Sequence, residues 1–152
     1  MEVKILTLED DLEKVVSGIN SAAWDIKNDI SEYTVSALES YLQREDTIFL
    51  ACYETTGVTH TLLGIASSRI EIKPYGEELW LYVDEVDVCR DHRQKGVGKF
   101  MMQHLIEIAT NEGCKEIWLG AEIDNLPANA LYRSLKPDQV TDVIGYTYEV
   151  DA

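Results

Sequence analysis

Two hydrophobic periods succeed each other along the chain, and their order predicts most of its elements. Val3 and Ile5 alternate with polar neighbours, so residues 2–6 read as a strand. Leu8, Leu12, Val15, Val16 and Ile19 recur at helical spacing, which places a first helix with Thr7 as N-cap and Asp10 supplying a carboxylate to its first turn. Residues 20–33 follow no period and hold Trp24, Asp25, Asp29, Glu32 and Tyr33. Thr34 caps a second helix through Val35, Leu38, Tyr41 and Leu42. Residues 47–53, 60–72 and 79–88 then read as strands, joined by a hairpin around Gly57 and a Lys73-Pro74-Tyr75-Gly76 turn, an antiparallel meander. Helical spacing returns over 96–111, with Val97, Phe100, Met101, Leu105, Ile108 and Ala109 on one stripe and Gly113 at the C′ position.

The remaining quarter predicts a short strand over 115–121 and a short helix over 128–135, entered through Pro127 and stopped by Lys136-Pro137-Asp138. Residues 143–150 read as a last strand with Tyr146, Tyr148 and Val150 on one face. The order βααβββαβαβ predicts an α+β fold with a central mixed β-sheet and helices on both faces. No repeat or linker interrupts it, and 152 residues suit a single domain over 1–152.

Charge narrows the function. With 13 Lys plus Arg against 28 Asp plus Glu, the net charge is −15. That excludes a duplex nucleic acid partner, whose phosphates need a basic face, and favours cationic ones. No apolar run approaches a membrane span and no secretory signal opens the chain, so a cytoplasmic location without membrane partners is expected. Cys52, Cys89 and Cys114 lack any CxxC spacing, and His60, His92 and His104 lack ligand spacing, so no metal site is expected.

One stretch departs from the acidity. Val86-Asp87-Val88-Cys89-Arg90-Asp91-His92-Arg93-Gln94-Lys95-Gly96-Val97-Gly98 runs from a strand, through cations and glycines, into a helix. Arg90, Arg93, Lys95 and Lys99 face only Asp91 there, leaving 9 cations against 27 anions in the rest of the chain. Glycine lets backbone approach a ligand, and helix-start N–H groups with the helix dipole attract anions. The stretch therefore reads as a pyrophosphate cradle. No GxxxxGK[ST] and no early GxGxxG compete with it.

Arg93-x-x-Gly96-x-Gly98 resembles the acyl-coenzyme A signature of the GNAT N-acetyltransferases. Val86-x-Val88 resembles the strand whose backbone holds the pantetheine arm, and Asn125-Leu126-Pro127-Ala128-Asn129-Ala130-Leu131-Tyr132 resembles the Asn…Ala…Leu-Tyr helix. More narrowly, Leu81 to Val86, His92-Arg93 and Pro127 to Tyr132 are similar to the small aminoglycoside 3-N-acetyltransferases. Lys136-Pro137 departs from the family's usual glycine and apolar residue after that helix, which leaves the path of the final strand open.

The resemblance implies transfer of an acetyl group from acetyl-CoA to an amine of a cationic aminoglycoside, at the 3-N position. It implies a donor site of Val86, Val88, Arg93, Gln94, Lys95, Gly96, Val97, Gly98, Lys99, Asn125 and Tyr132. Glu85 is the implied base, with Asp87 the second choice, since both project from one strand face. Burial or a neighbouring anion would have to raise the carboxyl pKa. The Val88 N–H is the implied oxyanion donor and Tyr132 the implied acid for the leaving thiolate. Trp24, Asp29, Tyr33, Glu85, Asp87, Glu122 and Asp124 are the implied acceptor contacts, and family habit allows a homodimer. A polyamine, amino acid or protein amine acceptor, and a non-catalytic acyl-CoA-binding module, remain open alternatives.

Overall fold

A computed structural model describes residues 1–151. Met1–Leu119 forms one compact unit, and a second begins at Gly120. The first unit is built on a five-stranded sheet: β1 (Glu2–Ile5), β2 (Thr47–Thr56), β3 (Thr59–Ile72), β4 (Leu79–Val88) and β5 (Glu116–Leu119), adjacent in that order. The first four are antiparallel neighbours and β5 runs parallel to β4, so the sheet is mixed as expected.

Helices cover both faces. α1 (Leu12–Ser21) and α2 (Val35–Gln43) pack on one. Leu12, Val15, Val16 and Ile19 of α1 and Leu38 of α2 share a core with Phe49, Ala51 and Ile65. α3 (Val97–Asn111) covers the other, burying Val97, Met101, Met102, Leu105 and Ala109. Fully burying a side chain such as Leu105 contributes about 1.5–3 kcal/mol. Gly113 sits just beyond α3 with φ +77°, the left-handed position its sequence context predicts.

Two expectations need correction. The first helix starts at Leu12 with Asp11 as N-cap, whose carboxylate accepts from the Lys14 N–H at 3.2 Å, rather than at Leu8 with Thr7. Asp10 is taken elsewhere: it accepts from the Thr7 N–H at 2.8 Å and pairs with Lys4 at 2.7 Å, closing a turn that leaves Leu8 exposed. No strand forms over 143–150; Val143, Ile144, Tyr146, Tyr148 and Val150 are exposed there. Lys136 adopts φ +56°, so the chain leaves the last helix through a left-handed residue just before Pro137, the point where the sequence departs from the family pattern. A strand needs a partner to satisfy its backbone, and alternation alone does not supply one.

β3 lies tight under α3 at Gly64. A Cβ there would stand 2.7 Å from the Asp87 carbonyl oxygen, 2.8 Å from Met101 Cε and 3.3 Å from Val97 Cγ1. The backbone contact cannot give way without moving β4. Gly64→Ala is therefore expected to destabilise by about 1–3 kcal/mol, read as a lower denaturation midpoint at unchanged slope. An unshifted midpoint would mean that β3 and β4 separate freely here.

Candidate active site

β4 carries one residue too many for its pairing with β3. Ser67 faces Glu85 and Ser68 faces Val83, so Asp84 has no partner across the ladder. Such a bulge reverses the alternation of side chains. Upstream of it, Leu81 and Val83 share the α3 face with their partners Ile70 and Ser68 and are buried. Downstream, Glu85 and Asp87 turn to the α1–α2 face, opposite Ser67 and Ile65, while Val86 and Val88 turn toward α3.

The two carboxyl groups meet there. Asp87 is 7% exposed, and burial raises its pKa, opposed by bonds from Asn28 and Glu85 and by the charge of Arg93. Glu85, nearer the surface, is also raised: first by burial, then by the Asp87 charge and a hydrogen bond with it, and by Asp84 and Asp29. Asn28 Nδ2 donates to Asp87 Oδ1 at 2.8 Å, and Asp87 Oδ2 is buried with no donor from the rest of the described chain. Arg93 donates to Asp25 Oδ2 at 3.2 Å and to Asn28 Oδ1 at 3.3 Å. A half-exposed ion pair of this kind contributes at most about 1 kcal/mol, so its role is orientation rather than stability.

Above Glu85 lies a cleft of about 350 Å³ lined by Glu32, Tyr33, Tyr41, Phe49, Asp84 and Glu85, among others. It joins aromatic walls to carboxylates. Tyr33 packs edge-on to Phe49 with centroids 6.0 Å apart, and its phenol is pushed up to about 12 by burial and by Glu85 and Asp87. It stays neutral at physiological pH. The arrangement suits a ring that carries ammonium groups.

The other half of the chemistry lies at the edge of β4. β5 pairs with β4 only from Trp80 to Val83. The Cys89 N–H donates to the Leu63 carbonyl at 2.8 Å, and backbone groups alternate along a strand. Glu85 and Asp87 thus point their N–H and C=O groups at β3, while Val86 and Val88 point theirs at the side where β5 has ended. The chain then passes through left-handed φ at Gln94, +59°, and Gly96, +81°, into α3. Nothing stands within 4 Å of where a Gly96 Cβ would be, so it is the dihedral, not space, that calls for glycine. The first amides of α3 are free to point at an anion. Arg90, Lys95 and Lys99 are exposed around it.

The sequence profile of the Acetyltransferase (GNAT) family matches residues 15–136. The chain belongs to the GNAT family. Its match ends at Lys136, two residues beyond the last helix of the described chain. GNAT enzymes use acetyl-CoA as donor, and the open edge of β4 with the glycine-led start of α3 fits that group. The chain is 33% identical over 55 residues to a streptothricin acetyltransferase from Streptomyces lavendulae, a match covering 36% of this chain and 29% of that protein's length. In fold it is similar to an aminoglycoside acetyltransferase from an uncultured soil metagenomic sample in complex with sisomicin: TM-score 0.80, 19% identity, 99% of this chain and 96% of the other. It is also similar to an aminoglycoside 6′-N-acetyltransferase from Acinetobacter haemolyticus: TM-score 0.71, 16% identity, 99% and 100%.

Against this GNAT frame, the expected residues separate into groups. Tyr33 and Glu85 line the cleft, with Asp87 buried beside Glu85. Asp29 is exposed at the end of a 3₁₀ turn, Ile26–Asn28, near enough to act on the Glu85 charge. Trp24 packs on the α1–α2 core, its indole N–H bonded to the Ile19 carbonyl at 2.9 Å. Arg93 turns its side chain to Asp25 and Asn28 rather than outward with its neighbours. Glu122, Asp124, Asn125 and Tyr132 belong to the second unit. There Asn125 caps α4 (Leu126–Ser134), its Oδ1 accepting from the Ala128 N–H at 3.2 Å, with Pro127 in the first turn as expected. Glu122 and Asp124 are exposed, and Tyr132 is half-buried.

Asn28 and Asp84 went unrecognised. The Asp25-x-x-Asn28 spacing could have signalled a capping box, which the structure forms, but not a bond across 59 residues to Asp87. The bulge does leave a signal: the apolar positions Leu81 and Val83 step by two, then by three to Val86 and by two to Val88, a break in phase inside a strand read as one run over 79–88.

Both raised carboxyls hold their protons to higher pH in the folded chain than in the unfolded one. Their contribution to stability is therefore greatest below the ordinary carboxylate range and is lost as pH rises through the native values. Asp87→Asn keeps an acceptor for Asn28 and removes the buried charge. The melting temperature of Asp87→Asn relative to the native protein is expected to climb between acid and neutral pH; a pH-independent difference would refute it.

Proposed function

We propose that the protein is an acetyl-CoA-dependent N-acetyltransferase acting on an amine of a cationic aminoglycoside, with 3-N as the position acetylated. The observation that carries this is Glu85 lining an acidic, aromatic cleft, with Asp87 buried beside it, on the strand that leads to the donor loop. The structural neighbour in complex with sisomicin supports the acceptor class. The 3-N position rests on the likeness of Leu81 to Val86 and Pro127 to Tyr132 to the small 3-N-acetyltransferases.

Acetyl-CoA supplies the acetyl group as a thioester. The open edge at Val86 and Val88 binds its arm by backbone, and the α3 start with Lys95 and Lys99 binds its phosphates. Glu32 and Asp84 attract the acceptor's ammonium groups, and Tyr33 and Phe49 hold its ring. Glu85 takes a proton from the attacking amine, and its raised pKa brings it closer to the operating pH. The Val88 N–H lies on the edge where developing negative charge is stabilised. Tyr132 gives a proton to the departing thiolate.

An assay with acetyl-CoA and a panel of gentamicin-type acceptors is expected to give turnover well above thioester hydrolysis, with the product's acetyl placed at 3-N by NMR. Glu85→Gln is expected to lower kcat about 10²- to 10⁴-fold. KM for the acceptor is expected to rise with salt as its charge pairs are screened. No turnover across the panel ends the aminoglycoside reading, and an unchanged kcat in Glu85→Gln ends the assignment of the base.

A further inference from the structure

Asn28 stands between the donor loop and the carboxyl pair, and its orientation is forced. Its Oδ1 accepts from the Asp25 backbone N–H at 3.0 Å and from Arg93 Nη2 at 3.3 Å. Both are groups that only donate, so the oxygen must face them. The amino group is thereby turned to Asp87 Oδ1 at 2.8 Å, where it serves an acceptor. Reversing the amide would break all three bonds at once. An asparagine held in this way supports Asp87 as an anion. Asp87 Oδ2 is buried without a donor from the rest of the described chain, and Glu85, two positions away on the same strand face, is the neighbouring acid.

We propose that Asn28 is a positioning residue of the acetyl transfer: oriented by Arg93 and Asp25, it fixes Asp87 as the acceptor half of the pair, so that a proton taken from the substrate amine comes to rest on Glu85. This rests on the acetyltransferase reading above. In the step, an N–H bond of the acceptor breaks and an O–H bond on Glu85 forms, hydrogen-bonded to ionised Asp87. Arg93 belongs to the same loop as Gly96, so the donor loop and the base share one run of side chains: Arg93, Asn28, Asp87, Glu85. The charged and titratable groups facing the pair are Asp84 on its own strand, Asp25 and Asp29 flanking the 3₁₀ turn, Tyr33 before α2, and Arg93.

Asn28→Asp separates this role from a structural one. Aspartate keeps the acceptor for the Asp25 N–H and Arg93, so the turn stays capped, but it cannot donate to Asp87 and brings a third carboxylate against it. The acid limb of the kcat/KM profile for the acceptor is expected to move to higher pH, with kcat/KM on that limb falling roughly tenfold. KM for acetyl-CoA should change little, and the melting temperature should fall chiefly as pH rises above the carboxylate range, where the new charge meets ionised Asp87. Carboxyl ¹³C NMR of the resting protein should show Glu85 and Asp87 retaining their proton to higher pH than in the native chain. Asn28→Ser, which removes the amide donor and adds no charge, carries the same test if Asn28→Asp does not fold. Superimposable pH profiles and carboxyl titrations would overturn the role of Asn28 while leaving the enzyme reading intact. Absence of turnover with any amine in the native protein would end the enzyme reading, and the carboxyl titration would still decide whether Asn28 sets the pair.

Discussion

The site depends on a single unpaired residue in β4. Without the bulge at Asp84, strict alternation would put Glu85 and Asp87 on the same face as Leu81 and Val83, under α3. Two carboxylates there would lie in an apolar layer with Met101 and Leu105, where an unpaired charge is prohibitively costly. The extra residue lets one strand serve two layers. Its first half seals the α3 core, and its second half lifts two acids onto the α1–α2 face and leaves two valine backbones at the free edge beyond β5.

That geometry makes the acids work against each other. Burial raises both carboxyls; the Asp87 charge raises Glu85 further, whereas Asn28, Glu85 and Arg93 all counter the rise at Asp87. The result is an asymmetric pair. Asp87 is deeper, bonded and near a cation; Glu85 is nearer the surface and surrounded by Asp84, Asp29 and Asp87. In a pair so coupled, the macroscopic titration belongs to both residues, and the environment decides which of them carries the proton.

The net charge of −15 takes on a definite shape in this light. Cations gather around the start of α3, where helix amides also point outward, and acids gather around the cleft above Glu85. Arg93 breaks the pattern. It is a cation of the loop before α3 whose side chain is spent on Asp25 and Asn28, which draws the two regions together within the first unit.

Much of this was legible in the residues alone. Helical and two-residue periods place the four helices and five of the strands because a buried face must repeat with its element. The loop Arg93-Gln94-Lys95-Gly96-Val97-Gly98 is visible because a left-handed turn into a helix start calls for glycine and an anion site for cations. The start of α1 falls at Leu12 rather than after Thr7 because Asp10, expected in the first turn, instead closes the preceding turn with the Thr7 N–H and Lys4. The last strand was misread because Tyr146, Tyr148 and Val150 alternate without a partner. Sequence determined most of the elements, the glycine-led entry to α3 with its cations, and the identity of the paired acids, since these rest on neighbours a few residues apart. Tertiary structure alone decided which face the acids take and which residues tune them. The bulge shows in the sequence only as a break in phase between Val83 and Val86, its geometry being a mismatch between two strands, and the Asn28–Asp87 bond joins positions 59 apart, beyond any local pattern.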